Sequence, residues 1–543
     1  MNGRQKLLLS LSSGVLLSLG WTPLPFFPLL FIGFVPILWL DDACGNLKNS
    51  ARCFLRYSYL ALLIWNVLTT WWVGNTYQGT HDIGSVFGGV MANMANPLLM
   101  CIPLVAFHHT KKRLGHGWGY VSLPAYWIMF EFIHLRWDLT WPWLTLGNGL
   151  SKFPQVIQWY EYTGVFGGTL WILALNILVY RLLYTFLWGR NFQFTRKNLL
   201  AVIFLANVPV CISLIQYFTY SEKGLTKNVV IIQPNIDPYN MKFDESTLDA
   251  QLNILLRLSG ENIDSSTDYL VWPETAIPQG ILLNELYAEP VINKVKSAFS
   301  SFPELELITG INAYARYATD QTPTARYEPD GKFYWDAFNS AIQLDTSDSI
   351  PVYHKSKLVP GVEKMPYPQL FKFLEPLAIN MGGVSGSLGE QKDRGVFFSH
   401  DKTGIAPLIC YESIYGEYTC EYVKRGAGLL FVITNDGWWA NSAGHKQHLD
   451  YARLRAIETR RDLAHCANTG TSAFINQRGD VYDATDWWVQ AVIKSDLYVN
   501  TDQTFYVRFG DYIGRAAIIL TLLLFVRIII MRLSKRKNLL NES

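Results

Sequence analysis

Two textures divide this chain. Residues 1–220 are built of long apolar runs, separated by short loops holding Pro, Trp, Lys and Arg. Residues 225–508 carry apolar runs of only five or six residues, alternating with polar stretches of helical length. A final long apolar run, 516–531, precedes the basic residues Arg532, Lys535, Arg536 and Lys537. A helix needs about 20 mostly apolar residues to cross a bilayer. The long runs at 7–20, 26–40, 57–73, 86–108, 120–135, 164–187 and 199–218 therefore predict seven spans, and 516–531 an eighth. The first run, behind Arg4 and Lys6, has the look of a signal peptide. The sequence Gly20-Trp21-Thr22-Pro23 is a poor cleavage site, so the run reads as a retained span.

Loop charge orients these spans. Lys48, Arg52 and Arg56, then Lys111, Lys112 and Arg113, then Arg190, Arg196 and Lys197 fall in alternate loops. The loops between them are nearly free of Lys and Arg: 74–85 has none, and 136–162 has only Arg136 and Lys152. The positive-inside rule then puts the N-terminus and the basic tail 534–543 in the cytoplasm, and residues 225–508 outside. Near the outer end of the fifth span, Glu131 and His134 read either as functional intramembrane groups or as boundary residues reached by water. The aromatic segment 137–144 is too short to span. It reads as a belt anchor, or as the lining of a lipid entrance.

In residues 225–508 the runs 228–233, 268–272, 305–309, 340–344, 405–409 and 429–434 predict strands, and 248–258 and 448–461 predict helices. In the second helix Arg453, Arg455, Glu458, Arg460 and Arg461 form the charged set. About 280 residues of this pattern predict a layered α/β domain large enough to bury its own core.

Composition narrows the partners. Half of the 543 residues are hydrophobic, and the charged share of 17% lies below the soluble average of roughly 25%. Nineteen Trp, many beside apolar runs, suit membrane interfaces. A net charge of +2 without a basic stripe excludes a nucleic-acid partner. Seven scattered Cys imply no disulfide framework.

Chemistry gathers where the predicted strands end. Run 268–272 leads into Pro273-Glu274; run 405–409 ends at Cys410-Tyr411-Glu412; run 429–434 ends at Asn435-Asp436-Gly437. Between them, Lys355 and Lys357 flank a Leu358-Val359-Pro360 turn followed by Glu363. Each piece alone is commonplace: a turn glutamate, a solvated lysine loop, a buried cysteine. Together they supply a carboxylate base, an ammonium and a thiol. That set suits attack on an ester, amide or nitrile carbon, with the oxyanion held by Lys and a backbone N–H. No His and Cys stand at metal-ligand spacing, so no metal is expected. A Cys410–Cys420 disulfide stays open, and would disable the thiol.

Trp272-Pro273-Glu274, Lys355 with Leu358-Val359-Pro360 and Glu363, and Cys410-Tyr411-Glu412 resemble the Glu-Lys-Cys triad of the nitrilase superfamily. With seven spans before the α/β domain and one after, the chain resembles the membrane-anchored branch of that superfamily, the apolipoprotein N-acyltransferases. Residues 142–144 and Gln233-Pro234-Asn235-Ile236 are similar to family features too. The resemblance implies a polytopic α-helical membrane domain (1–220), a nitrilase-like αββα sandwich (225–508), a C-terminal span (513–533) and a cytoplasmic tail (534–543). It implies Glu274 as general base, Lys355 as oxyanion-stabilising group and Cys410 as nucleophile, supported by Glu363 and Tyr411 with Glu412 nearby. Trp143 and Phe243 become lipid-contacting candidates; Phe243 stands where the family is expected to have Trp. Gly361-Val362 replaces the family's Phe-Gly before Glu363. Leu370, Phe373, Leu374, Leu377 and Met381 share one helical face before Gly382 and Gly383, which reads either as a lipid-dipping lid or as an ordinary core helix.

The implied reaction moves an acyl chain from a membrane phospholipid, through a thioester on Cys410, to the α-amino group of diacylated lipoprotein precursors. No cofactor is implied. The expected setting is the bacterial inner membrane, with the catalytic domain periplasmic and the protein monomeric. A membrane-anchored amidohydrolase and a transporter with an outside binding domain are the alternatives. The runs show no clear inverted repeat to support the transporter.

Overall fold

A computed structural model of the protein describes residues 1–75, 83–189, 192–367 and 387–542. Two compact units result: a helical one of Met1–Trp71, Val90–Phe218 and Phe509–Ser543, and a second of Trp72–Gly89 and Thr219–Arg508.

The helical unit takes α1 (Gly3–Leu19), α2 (Val35–Gly45), α3 (Ser50–Thr70), most of α4 (Ile83–Leu114), α5 (His116–His134), α6 (Val165–Tyr184), α7 (Phe192–Thr219) and a C-terminal helix, Tyr512–Glu542. A reciprocal Asn2–Gln5 capping box starts α1. The C-terminal helix runs along α5. Among the described residues, Phe27–Gly45, Gly84–Leu114, Val165–Trp188, Gln193–Thr219 and Tyr512–Ser534 are long and apolar enough to cross a membrane.

Two expectations for this unit are corrected. Glu131 is not a wet boundary residue. It is 4% exposed, and its carboxylate accepts from Trp127 Nε1 at 2.9 Å, Leu146 N at 2.7 Å and Thr169 Oγ1 at 2.8 Å. Three donors from three segments make it a tie between α5, the loop after it and α6. His134 is buried as well, its Nε2 2.9 Å from Asn96 Oδ1. The cysteines do form one bridge, Cys44–Cys53; nine residues of separation between them gave no sequence signal. No disulfide joins Cys410 to Cys420.

The second unit is built on two sheets. The first holds β1 (Leu225–Gln233), β2 (Tyr269–Val271), β3 (Ile277–Leu282), β4 (Glu306–Tyr317), β5 (Arg326–Glu328), β6 (Phe333–Leu344) and β7 (Val352–His354). The second holds β8 (Phe397–Phe398), β9 (Gly404–Ile409), β10 (Ala427–Thr434), β11 (Leu463–Ala467), β12 (Ala473–Ile475) and β13 (Val481–Tyr482). β14 (Ala491–Val499) returns to pair antiparallel with β1.

Between the sheets, Cys466 Sγ of β11 meets the Ile232 and Val271 carbonyls at 3.4 Å. Helices α8 (Leu248–Gly260) and α9 (Pro290–Ala298) bury Leu252, Leu255, Ile292 and Val295 on the first sheet. Helices α10 (Gly416–Lys424) and α11 (Ala443–Thr459) cover the second. This is the αββα sandwich the resemblance implies. β10 runs parallel to both β9 and β11, so all three end at the same edge. In such sheets that carboxyl edge is where ligands bind.

Helix α11 differs from its reading. It begins at Ala443, behind a Ser442 cap, and of its charged set Arg455 and Glu458 are buried. Arg455 and Glu458 pair at 2.8 Å in full burial. Arg455 also donates to the Ile414 carbonyl at 2.6 Å, just past the Cys410 turn.

Candidate active site

Four loops at strand ends supply the groups. Behind β2, Glu274 turns into the domain. Its Oε1 accepts from Asn339 Nδ2 at 2.7 Å and Lys355 Nζ at 3.2 Å, and its Oε2 from Asn435 N at 3.0 Å. The turn is tight, with Thr275 at φ 47°. It fits only because its neighbour on β4 is Gly310, where a Cβ would stand 2.3 Å from Thr275 N and 2.8 Å from Glu274 Cα.

Lys355 follows β7. It is 1% exposed, and its ammonium also donates to Glu363 Oε1 at 2.7 Å. The other oxygen of Glu363 accepts from Val359 N at 2.8 Å, closing the Val-Pro turn on itself. Burial works against the lysine's charge, but Glu274 and Glu363 outweigh it and hold the ammonium well above the ordinary lysine value. Lys357 faces elsewhere, 5.0 Å from the Tyr415 ring. The choice between the two lysines is therefore made by geometry.

Cys410 ends β9 in the left-handed region, at φ 50°. A side chain there carries strain that only a well-determined surrounding structure sustains. The residue is buried, and its thiol takes a hydrogen bond with the Thr434 side chain and feels the charges of Glu274, Lys355 and Asp436. Burial first, then Glu274, push its ionisation well above the usual thiol value, against the pull of Lys355. Lys355 thus rests as an ammonium beside a neutral thiol.

Glu412 does not reach the thiol. Fully buried, it is a clasp between two loops. Its Oε2 accepts from Ile409 N at 2.9 Å, at the end of β9. Its Oε1 accepts from Ser356 N at 2.7 Å, beside Lys355, and from the hydroxyls of Tyr353 at 2.7 Å and of Tyr418. Glu412→Gln, which puts an amide where only acceptors fit, is expected to cost about 2 kcal/mol. That should lower the unfolding temperature by about 5 °C in a melt of the purified protein.

Asp436, His448 and His465 lie buried within 4.8 Å of one another, a grouping that spacing alone did not suggest. The nitrogens of His448 are engaged: Nδ1 with Asp436 Oδ1 at 2.9 Å, and Nε2 with the Cys410 carbonyl at 3.0 Å and Ser413 Oγ at 2.9 Å. Burial opposes charge on His448, and Asp436 overcomes it, raising the imidazole above its ordinary value.

The remaining candidates are placed as follows. Tyr411 is buried, its ring edge-on to Tyr415 at 5.4 Å. Phe243 is half-buried and nearly parallel to Trp438 at 6.4 Å. The Tyr239 hydroxyl fastens that loop to the Gly437 and Trp438 carbonyls at 3.0 and 2.9 Å. Trp143 is buried in a single turn, Pro142–Leu144, of the helical unit. Phe373 and Leu377, with the rest of the suggested lid, lie outside the described residues. Two site residues went unnoticed in the sequence. Asn339 sits inside β6, one position before the run first read as a strand. Lys242 is buried, donates to the Glu274 carbonyl at 2.8 Å, and is drawn down by burial to about 8. A lysine directly before a singled-out aromatic was its only signal.

Two family models match the chain: the apolipoprotein N-acyltransferase N-terminal domain over residues 13–178, and carbon-nitrogen hydrolase over residues 229–504. The apolipoprotein N-acyltransferase of Chlorobaculum tepidum is 31% identical over 518 residues, covering 93% of each chain. The chain belongs to the apolipoprotein N-acyltransferase family. A second apolipoprotein N-acyltransferase, from Geobacter metallireducens, is 29% identical over 527 residues, covering 95% of this chain and 94% of its own. Among solved structures, Nit3 of Saccharomyces cerevisiae, a member of branch 10 of the nitrilase superfamily, is similar over 51% of this chain and 93% of its own. Its identity is 12% and its TM-score 0.34.

Proposed function

We propose that this chain is an apolipoprotein N-acyltransferase working through a thioester on Cys410. Glu274 takes the thiol proton. The sulfur attacks the acyl ester carbonyl of a phospholipid, and Lys355 with the Tyr411 N–H holds the oxyanion. The C–O bond breaks, lysophospholipid leaves with the proton from Glu274, and the acyl chain stays on sulfur. The α-amino group of a diacylglyceryl-cysteine then attacks the thioester and gives a proton to Glu274, and the C–S bond breaks as the sulfur takes that proton back and leaves as the thiol. The observation that carries this reading is the Glu274–Lys355 contact of 3.2 Å with the Cys410 thiol in the field of both. Phe243 and Trp438 offer an aromatic surface to the incoming lipid. Trp143, Phe373 and Leu377 are the further lipid-contacting candidates.

The loop charges support a periplasmic catalytic unit on the inner membrane, reached by two lipid-anchored substrates. The protein acts as a monomer. The test is incubation of the purified full chain with phospholipid and a diacylated lipopeptide. Triacylated lipopeptide and lysophospholipid are expected, and donor hydrolysis without transfer would instead indicate an amidohydrolase.

His448 is a positioning residue in this scheme. Its donation to the Cys410 carbonyl polarises the peptide whose N–H, that of Tyr411, faces the oxyanion. His448→Leu is expected to slow single-turnover acyl-enzyme formation about tenfold, the worth of one charge-assisted hydrogen bond. His448→Gln, which keeps a donor, should recover part of that loss. Equal rates for the two variants would refute the role.

A further inference from the structure

A cavity of about 910 Å³ lies in the helical unit between α5, α6 and the C-terminal helix. Its walls are mostly apolar, and small side chains, Ala125, Ala174, Ala516 and Ala517, leave the room. It follows α5 from His116 to Ile128, about 18 Å at 1.5 Å per residue. One leaflet of hydrocarbon is about 15 Å deep. The space therefore has the length of a single lipid chain.

Only one end is polar, with Asp42, His116 and Arg181. Asp42 is already engaged, its carboxylate accepting from Lys111 Nζ at 2.5 Å and from the Tyr180 hydroxyl. Lys111 is further neutralised by Asp41 at 2.6 Å. Arg181 differs. Among the described residues its guanidinium meets no carboxylate, and lies 5.9 Å from the Tyr120 ring and 5.6 Å from the Phe194 ring. A cation at the head of an apolar groove, with its faces against aromatic rings and its N–H fork unmatched by an acid, is a receptor for a phosphate.

We infer that this groove binds a glycerophospholipid, with its phosphate at Arg181 and an acyl chain along α5, α6 and the C-terminal helix. The phosphate end lies beside the basic turn Lys111–Arg113 that precedes α5. With the orientation proposed above, the lipid belongs to the cytoplasmic leaflet, so it is a resident lipid and not an acyl donor. The inference rests on the helical unit alone, and failure of the transferase assay would leave it standing.

The test is native mass spectrometry of the detergent-purified full chain titrated with palmitoyl-oleoyl phosphatidylethanolamine. A covalent acyl adduct survives denaturation and is thereby counted apart from bound lipid. The wild type is expected to retain one phospholipid. Arg181→Gln should weaken that binding about tenfold, Arg181→Lys by less, and Ala174→Trp, which fills the groove without touching the cation, should remove it. Glycerol 3-phosphate at millimolar concentration should leave the lipid in place. Undiminished retention by both Arg181→Gln and Ala174→Trp would overturn the proposal. So would displacement by glycerol 3-phosphate, which would make this a soluble phosphate site.

Discussion

Replacing Cys410 by alanine is expected to abolish acyl-enzyme formation, with turnover falling by at least about 10⁴-fold. Removing the nucleophile of a covalent mechanism costs losses of that order or larger. Intact-protein mass spectrometry after incubation with phospholipid should show one fatty acyl adduct on the wild type, mapping to Cys410, and none on Cys410→Ala. The fold should survive, because the side chain occupies a turn and a smaller residue adds no clash. The cysteines outside the Glu274–Lys355 pair and outside a disulfide, Cys101, Cys211, Cys420 and Cys466, should stay unmodified. An adduct on any of them, or on the variant, would overturn the assignment.

Glu274→Gln is expected to slow acylation by about 10²–10⁴-fold, the range for losing a general base. The variant separates two ways of making a thiolate. In the wild type the carboxylate takes the proton as sulfur attacks, so the rate should change little between pH 7 and 9. In Glu274→Gln the thiol must ionise unaided. Burial holds its ionisation above the ordinary value, so the residual rate should climb about tenfold per pH unit across that range. Part of the burial-opposing balance also changes, because Glu274 itself disfavours the thiolate and its removal eases ionisation. A flat profile in the variant would mean that another base acts, with Glu363, on the same lysine at 2.7 Å, the next candidate.

What the chain disclosed about itself follows the range of the forces involved. Strand cores at 228–233, 405–409 and 429–434 were legible, because buried parallel strands are continuous apolar runs. The polar residues after runs 268–272 and 405–409 marked Glu274 and Cys410 for the same reason, since a polar group that interrupts such a run must lie at an edge. The ends of β4 and β6 were cut short because each carries polar residues beyond the apolar stretch, and their long antiparallel pairing, Leu307 with Leu344 through Tyr317 with Tyr334, is not a local property. The burial of Arg455 within the charged set of α11 was not legible. Periodicity reports spacing, and only the tertiary partners Glu458 and the Ile414 carbonyl explain why Arg455 is inside. Asn339 and Lys242 were illegible because each acts through a contact more than thirty residues away along the chain. Glu412 was seen as a neighbour of the cysteine; its grip on the Lys355 loop was not.

Gly310 has no side chain of its own, yet it governs where the base can stand. Its hydrogen is the only substituent that leaves the turn after β2 room to swing the carboxylate inward. A substitution at this one strand position should therefore cost turnover by displacing the carboxylate. A single methyl, chemically inert and remote from the sulfur, would act there as an inhibitor built into the gene.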